Sequence, residues 1–263
     1  MPWVTLPDSI RLGSFRFCPI NTSTPASAVD SDIAEMVSKV LKGYVGRNGK
    51  PIESCTIMLR ARHPQAWNIP EKMWKAASRA AEILALACLA EQRFLEGHLS
   101  PHLNASMFRL VGQGITVGSE QITLFHQRRG QGLRIGGLRL KDVVFQRPPQ
   151  IQGTGCKIIG TRLLKGLEKA RRTQHPVWEP IVSSLEIFLL GHAETPELDW
   201  DSCVMLSAMA FERLLEPKER NAKAVAEAFA DLWNPYASLT LKEGKRIKPD
   251  HNQIVRRRAF CLV

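Results

Sequence analysis

Between Pro180 and Trp233, apolar residues recur at steps of three and four in three successive sets. Ile181, Leu185, Phe188 and Leu189 make the first. Trp200, Val204, Ala208, Phe211 and Leu215 make the second, and Ala222, Val225, Ala226, Phe229 and Leu232 the third. That spacing places each set on one side of an α-helix and predicts a small helical bundle. The breaks fit the same plan. Gly191 is expected to end the first helix, Thr195-Pro196 to lie in the connection, Asp199 to cap the second helix and Pro217 to stop it.

The first half of the chain has a different pattern. Residues 1–30 are rich in Pro, Ser and Thr and predict loop or extended chain, with an edge strand near Ile10 to Phe17. Ile33, Met36, Val37 and Val40 predict a helix over Asp32 to Leu41 that Gly43 closes. Cys55, Ile57 and Leu59 alternate and predict a strand over Ser54 to Arg60. Asn68-Ile69-Pro70-Glu71 then opens a long helix with Ala77, Ala81, Leu84, Cys88 and Leu95 on one face and Gly97 at its end. We expect this helix to lie across a sheet.

The sheet is predicted from short β-prone runs at Phe108 to Val111, Ile115 to Val117, Ile122 to Phe125, Leu133 to Ile135 and Leu138 to Phe145. Gly-Gln-Gly-Ile-Thr-Val-Gly at 112–118 recurs as Gly-Gln-Gly-Leu-Arg-Ile-Gly at 130–136, a spacing expected of hairpin turns. Pro148-Pro149 then marks the domain boundary. The expected fold class is α+β. A mixed α/β half with a small antiparallel sheet spans 1–150; a basic connector, partly helical over Gly160 to Arg172, and the bundle occupy 151–263.

Composition bounds the class. A chain of 263 residues can bury a core, and 44% hydrophobic with 23% charged residues is ordinary for a soluble domain. Ile83 to Ala90, the most apolar stretch, is far short of a membrane span, which needs ~20 residues. The expectation is a protein without a membrane segment and without a secretory leader. Six cysteines stand singly, with no C-x-x-C pair, and predict reduced thiols in a cytoplasm.

Charge changes the picture most. The net charge is +11, but residues 128–172 hold 12 Lys/Arg against 2 Asp/Glu, while 173–240 hold 4 against 11 and 241–263 hold 7 against 2. An acidic block therefore lies between two basic ones. Two readings follow: basic arms resting on the acidic bundle, or a basic surface for a polyanion, foremost nucleic acid. For the second, the candidate residues are Arg128, Arg129, Arg134 and Arg139 around a hairpin, and Arg171, Arg172, Arg256, Arg257 and Arg258 flanking the bundle. Arginine meets phosphate with a rigid fork of donors.

Motifs of other chemistries do not fit. Gly112 and Gly114 are followed by strand-like sequence, not the helix a dinucleotide fingerprint needs. Gly155 to Arg162 resembles a phosphate loop, but Thr161 stands where the lysine belongs. There is no H-E-x-x-H and no G-x-S-x-G, and His98 and His102 straddle Pro101 in a loop. No metal or cofactor is expected. His192, at a helix end, is expected to complement the negative end of the helix dipole.

Leu206-Ser-Ala-Met-Ala-Phe-Glu-Arg-Leu-Leu215, preceded by Ser184-Leu-Glu-Ile-Phe-Leu-Leu190, resembles the central helices of prokaryotic HEPN-type proteins, the ApeA-like abortive-infection branch above all. The resemblance runs from about Val177 onward. It implies a helical bundle, often dimeric, and metal-independent endoribonuclease activity in phage defence or toxin–antitoxin systems. The family's catalytic pair is Arg-x(4–6)-His, an arginine to hold the scissile phosphate and a histidine to move the ribose proton. Arg93…His98 and Arg246…His251 both match, about as many pairs as chance provides with 22 Arg and 7 His. Arg246 and His251 lie in the half the resemblance assigns to catalysis, although Pro249 places them in a loop and the family's motif is expected further on. The reading is a HEPN-like protein that engages RNA, with Arg246 and His251 the pair to test and a degenerate or truncated ribonuclease included. The competing reading is a non-enzymatic interaction or homodimerisation module.

Overall fold

The structure, a computed structural model, describes residues 1–21, 31–60, 71–89, 105–115, 121–128, 131–149, 151, 155–156, 159–193, 198–215, 224 and 227–228. The chain contains both helices and strands in the α+β manner. It divides into two compact units, Met1–Glu168 and Lys169–Val263.

In the first unit, β1 (Ile10–Leu12) and β2 (Phe15–Asn21) form a tight hairpin in which Leu12 faces Phe15 across Gly13, whose φ of 58° suits glycine. β4 (Ser54–Arg60) pairs antiparallel with β2 along its whole length. Phe15, Phe17, Cys18 and Ile20 are buried, a denser apolar run than a strand with one wet face would show. Between these strands come α1 (Ser31–Leu41) and β3 (Tyr44–Val45). Gly43 joins the two: its N–H donates to Val40 O at 3.0 Å, and a β-carbon there would meet Val143 O at 2.7 Å.

α2 (Glu71–Leu89) buries Ala77, Ala81, Leu84 and Cys88, the face its spacing predicts. Its expected cap at Asn68 and its expected end at Leu95 and Gly97 lie outside the described residues. Phe108 ends a short 3-10 turn (Ala105–Phe108), so the strand expected over 108–111 begins later, as β5 (Gly112–Ile115). β5, β6 (Gln121–Arg128) and β7 (Gln131–Arg139) make an antiparallel sheet in that order. Of the two glycine repeats, 112–115 lies in one edge strand and 131–136 in the other, where Gly112 pairs with Phe125 and Gly132 with Gln127; 116–118 and Gly130 lie outside the described residues. Positive φ appears instead at Gly137, where the β6–β7 register slips between Ile122 and Leu124. After a 3-10 turn at Leu140–Asp142, β8 (Phe145–Gln146) pairs parallel with β3.

Tyr44 ties these parts together. Its ring stacks on Phe145 at 4.7 Å and meets Trp3 edge-on at 5.6 Å, and its hydroxyl accepts a 2.9 Å hydrogen bond from Gln113 Nε2. Beyond Pro148-Pro149 the chain still bonds within this unit. Cys156 N–H donates to Thr5 O at 2.9 Å and Gly160 N–H to Ala87 O at 3.0 Å.

α3 (Thr161–Arg172) carries the division between the units. In the second unit, α4 (Trp178–Gly191) and α5 (Trp200–Leu215) pack together. Pro180 is tolerated because the first helical turn has no use for its missing N–H. Asp199 caps α5 as expected, its Oδ1 accepting from Ser202 N–H at 2.7 Å. His192 caps α4, stacked on Phe188 and bonded from Nδ1 to Phe188 O at 2.9 Å. Of the third expected helix, 224, 227 and 228 are helical and the rest, with Pro217, lies outside the described residues.

The face α5 turns to α4 differs from the expected one. Trp200 and Val204 are exposed, at 81% and 41%, while Ala210 is buried. Gly191 of α4 lies against Cys203, Leu206 and Ser207. Small residues let the helices approach closely, and that decides the contact over the larger side chains one position away.

Candidate nucleic-acid interface

α3 is the most basic ordered element described. It buries Leu164 and Leu167 and leaves Arg162, Lys165, Lys169 and Arg172 exposed. Steps of three, four and three put these four cations on one helix face, spanning about 15 Å at 1.5 Å per residue. None of the four pairs with an acidic side chain among the described residues. Arg171, between them in sequence, is engaged by a neighbour.

Part of this charge has a local use. Lys169, Arg171 and Arg172 occupy the last turn, where cations complement the helix dipole. Arg162 has no such reason to be there. It stands in a first turn that holds no acid, where the positive end of the dipole disfavours a cation.

The end of α3 is sharply defined. Gln174, at φ 49°, donates from N–H to Arg171 O at 3.4 Å, and His175 N–H reaches back to Ala170 O at 2.9 Å. That pair of bonds is the Schellman arrangement, here with glutamine in the left-handed position.

The other arginines expected to bind nucleic acid are spread out. Arg128 ends β6 opposite Gln131 at the hairpin tip, whereas Arg139 pairs with Gln121 at the far end of β7. Eight residues of strand separate those ends, about 27 Å. Arg134 lies mid-strand opposite Phe125. Arg139 is also engaged, its Nε donating to Asp142 Oδ2. Arg129, Arg246, His251, Arg256, Arg257 and Arg258 lie outside the described residues. So α3 assembles a stripe of which the expected set contained only Arg172. Arg162, Lys165 and Lys169 were missed because the segment read as a connector; the i, i+3, i+7, i+10 spacing of its cations was the available signal.

A cavity of about 330 Å³ lies in the first unit, with Phe15, Val40, Met58, Trp74, Ala77, Tyr44 and Cys55 among its lining residues. Burial raises the pKa of both the Tyr44 hydroxyl and the Cys55 thiol, so both stay protonated and neither is poised as a base or nucleophile. The recess is apolar in character. The two histidines whose side chains are described serve helix ends: His192 as above, and His175, whose Nδ1 accepts from Val177 N–H at 3.3 Å. Among the described residues no cluster of three His, Cys, Asp or Glu side chains is placed to hold a metal ion, and no helix is long and apolar enough to cross a membrane.

No protein-family model, curated protein or solved structure matches this chain.

Proposed function

We propose that this protein engages RNA through the basic face of α3, as a HEPN-like protein of the kind that includes metal-independent ribonucleases of defence and toxin systems. The observation that carries the binding part is the row of four cations without an acidic partner among the described residues, with Arg162 placed against its own helix dipole. A row of cations suits a phosphodiester backbone and releases counterions on binding. RNA, as opposed to another polyanion, and the catalytic pair Arg246 and His251 come from the resemblance in the second unit.

The test is purified protein with labelled RNA in EDTA, resolved on native and denaturing gels across a salt series. The expected result is a shift that weakens with salt, with a log–log slope of about −3 for four phosphate contacts to a single strand. Replacing Arg162, Lys165, Lys169 and Arg172 together by Gln should flatten that slope and abolish the shift at moderate salt. Cleavage in EDTA that disappears in His251→Ala would assign catalysis to Arg246 and His251. A wild-type protein that neither shifts nor cleaves RNA overturns the proposal.

One observation favours the second reading, an interaction or homodimerisation module. Trp200, Val204, Met205 and Met209 expose 81%, 41%, 66% and 48% of their surface along α5. Trp200 and Val204 share one side of the helix and Met205 and Met209 another, and large apolar side chains left exposed in this way mark contact surfaces. Light scattering of wild type against Trp200→Glu/Met205→Glu tests it: a dimer that dissociates in the variant supports this reading.

A further inference from the structure

The cavity of the first unit lies between α1, the paired strands β2 and β4, the first turns of α2 and the entry to β5. Protein interiors pack as densely as organic crystals, so a recess of about 330 Å³ is unusual, and it falls within the roughly 300–1,000 Å³ of small-molecule sites. Val37 and Val40 of α1, Phe15 of β2, Met58 of β4, and Met73 and Trp74 of α2 give it an apolar wall. Val37, Met58, Met73 and Trp74 are only half-buried, so part of that wall meets water. Apolar surface left wet in a concave site is surface that a ligand gains by covering.

One charge stands in this wall. Arg60, the last residue of β4 and the cross-strand partner of Phe15, is the one charged side chain among the described residues that line the recess. It is also exposed, so it stands where the recess opens to solvent. Its Nη1 donates to Met73 Sδ at 2.7 Å, and it pairs with no carboxylate among the described residues. A thioether is a weak, neutral acceptor and leaves most of the guanidinium donors unused. The contact also holds a long side chain against α2, which lowers the ordering cost of binding through it. Two other polar side chains of the lining are already matched. The Tyr44 hydroxyl accepts from Gln113 Nε2 at 2.9 Å, and Thr56 Oγ1 accepts from Leu6 N–H at 3.1 Å.

We propose that this recess binds a small amphiphilic carboxylate, with its hydrocarbon chain against the apolar wall and its head group on Arg60. A guanidinium meets a carboxylate through parallel N–H donors, and the absence of an acidic side chain among the described lining residues leaves an anion unopposed. Met58 and Met73 suit a flexible chain, since unbranched thioether side chains adapt to irregular shapes. A single cation beside an apolar wall is a poor match for a run of phosphates. The site is therefore separate from the α3 face and does not depend on the RNA reading.

The full-length chain is titrated calorimetrically at constant ionic strength with octanoate, 1-octanol and acetate, which separate the head group from the chain. Octanoate is expected to saturate one site, octanol to bind it more weakly and acetate not measurably. Arg60→Gln, at an exposed position that should not disturb folding, is expected to weaken octanoate about tenfold or more, the loss of one charge-assisted pair, and to leave octanol unchanged. Val37→Phe narrows the recess from α1 and should weaken octanoate and octanol together, with a circular dichroism spectrum like that of wild type showing that it folds. Trp200→Glu/Met205→Glu, which alters the exposed apolar residues of α5 instead, should bind octanoate as wild type does. The proposal is overturned if wild type shows no saturable octanoate binding, or if Arg60→Gln binds octanoate as tightly as wild type. Octanoate binding lost in the α5 variant, or acetate binding as tight as that of octanoate, overturns it as well.

Discussion

Gly191 and Leu206 lie so close that a β-carbon on Gly191 would come within 3.2 Å of Leu206 Cβ, and within 3.3 Å of Cys203 O. Both neighbours are fixed to the α5 backbone, so neither can swing away as the tip of a long side chain would. The close approach of α4 and α5 rests on that hydrogen atom. Gly191→Ala is therefore expected to destabilise the second unit by about 1–2 kcal/mol: the overpacking penalty exceeds the gain in helix propensity. Urea unfolding followed by tryptophan fluorescence measures it. A midpoint equal to or above wild type would show that the helices separate without loss.

Thr56 of β4 is fully buried, and its Oγ1 accepts from Leu6 N–H at 3.1 Å. Valine has nearly the same shape but no acceptor, so Thr56→Val strands a buried donor at about 1–3 kcal/mol. Thr56→Ser keeps the acceptor and loses only a methyl group. The order wild type, Ser, Val in thermal stability is the expected outcome. Equal melting of the Ser and Val variants would assign the effect to packing.

Gln174 occupies a left-handed backbone position that glycine adopts without a Cβ clash. Gln174→Gly is expected to stabilise the end of α3 by up to about 1 kcal/mol, the relief of strain exceeding the added unfolded-state entropy. A lower melting temperature in Gln174→Gly would contradict this account of the cap.

The thiols should respond to pH in a set direction. Burial raises the pKa of Cys55, while a hydrogen bond with Cys156, and then burial, raise that of Cys88. Both acids hold their protons more tightly in the folded chain, so the unfolded chain releases protons first. Stability is intact below the ordinary thiol value of about 8.5 and falls as pH rises through it; Tyr44, raised by burial, adds a second loss above about 10. Native alkylation at pH 8 should label the half-exposed Cys203 before the buried Cys18, Cys55, Cys88 and Cys156. Mass spectrometry of timed samples checks the order, and rapid labelling of Cys88 would overturn it.

Much of the secondary structure was legible because local signals agreed. α1, β4, α2, α4 and α5 appear where periodicity, caps and glycines placed them, and Asp199 and His192 occupy the helix ends expected of them. At Gly112 and Gly132 the glycine repeats misled, because glycine is read locally as a turn. In the sheet, Gly112 and Gly132 are simply paired strand residues on either side of β6. The candidate interface was half-legible: its charge was visible, but its grouping awaited the helix that aligns Arg162 with Lys165, Lys169 and Arg172.

The sequence by itself determined the element types, the uneven charge and the helix caps, since each depends on residues within a few positions of one another. The tertiary structure alone decided which face of α5 is covered, how Tyr44 comes to link Trp3, Phe145 and Gln113, and why Val45 pairs with Gln146 a hundred residues away. Those relationships arise from packing between distant segments, where the size of a glycine or the register of two short parallel strands outweighs local preference.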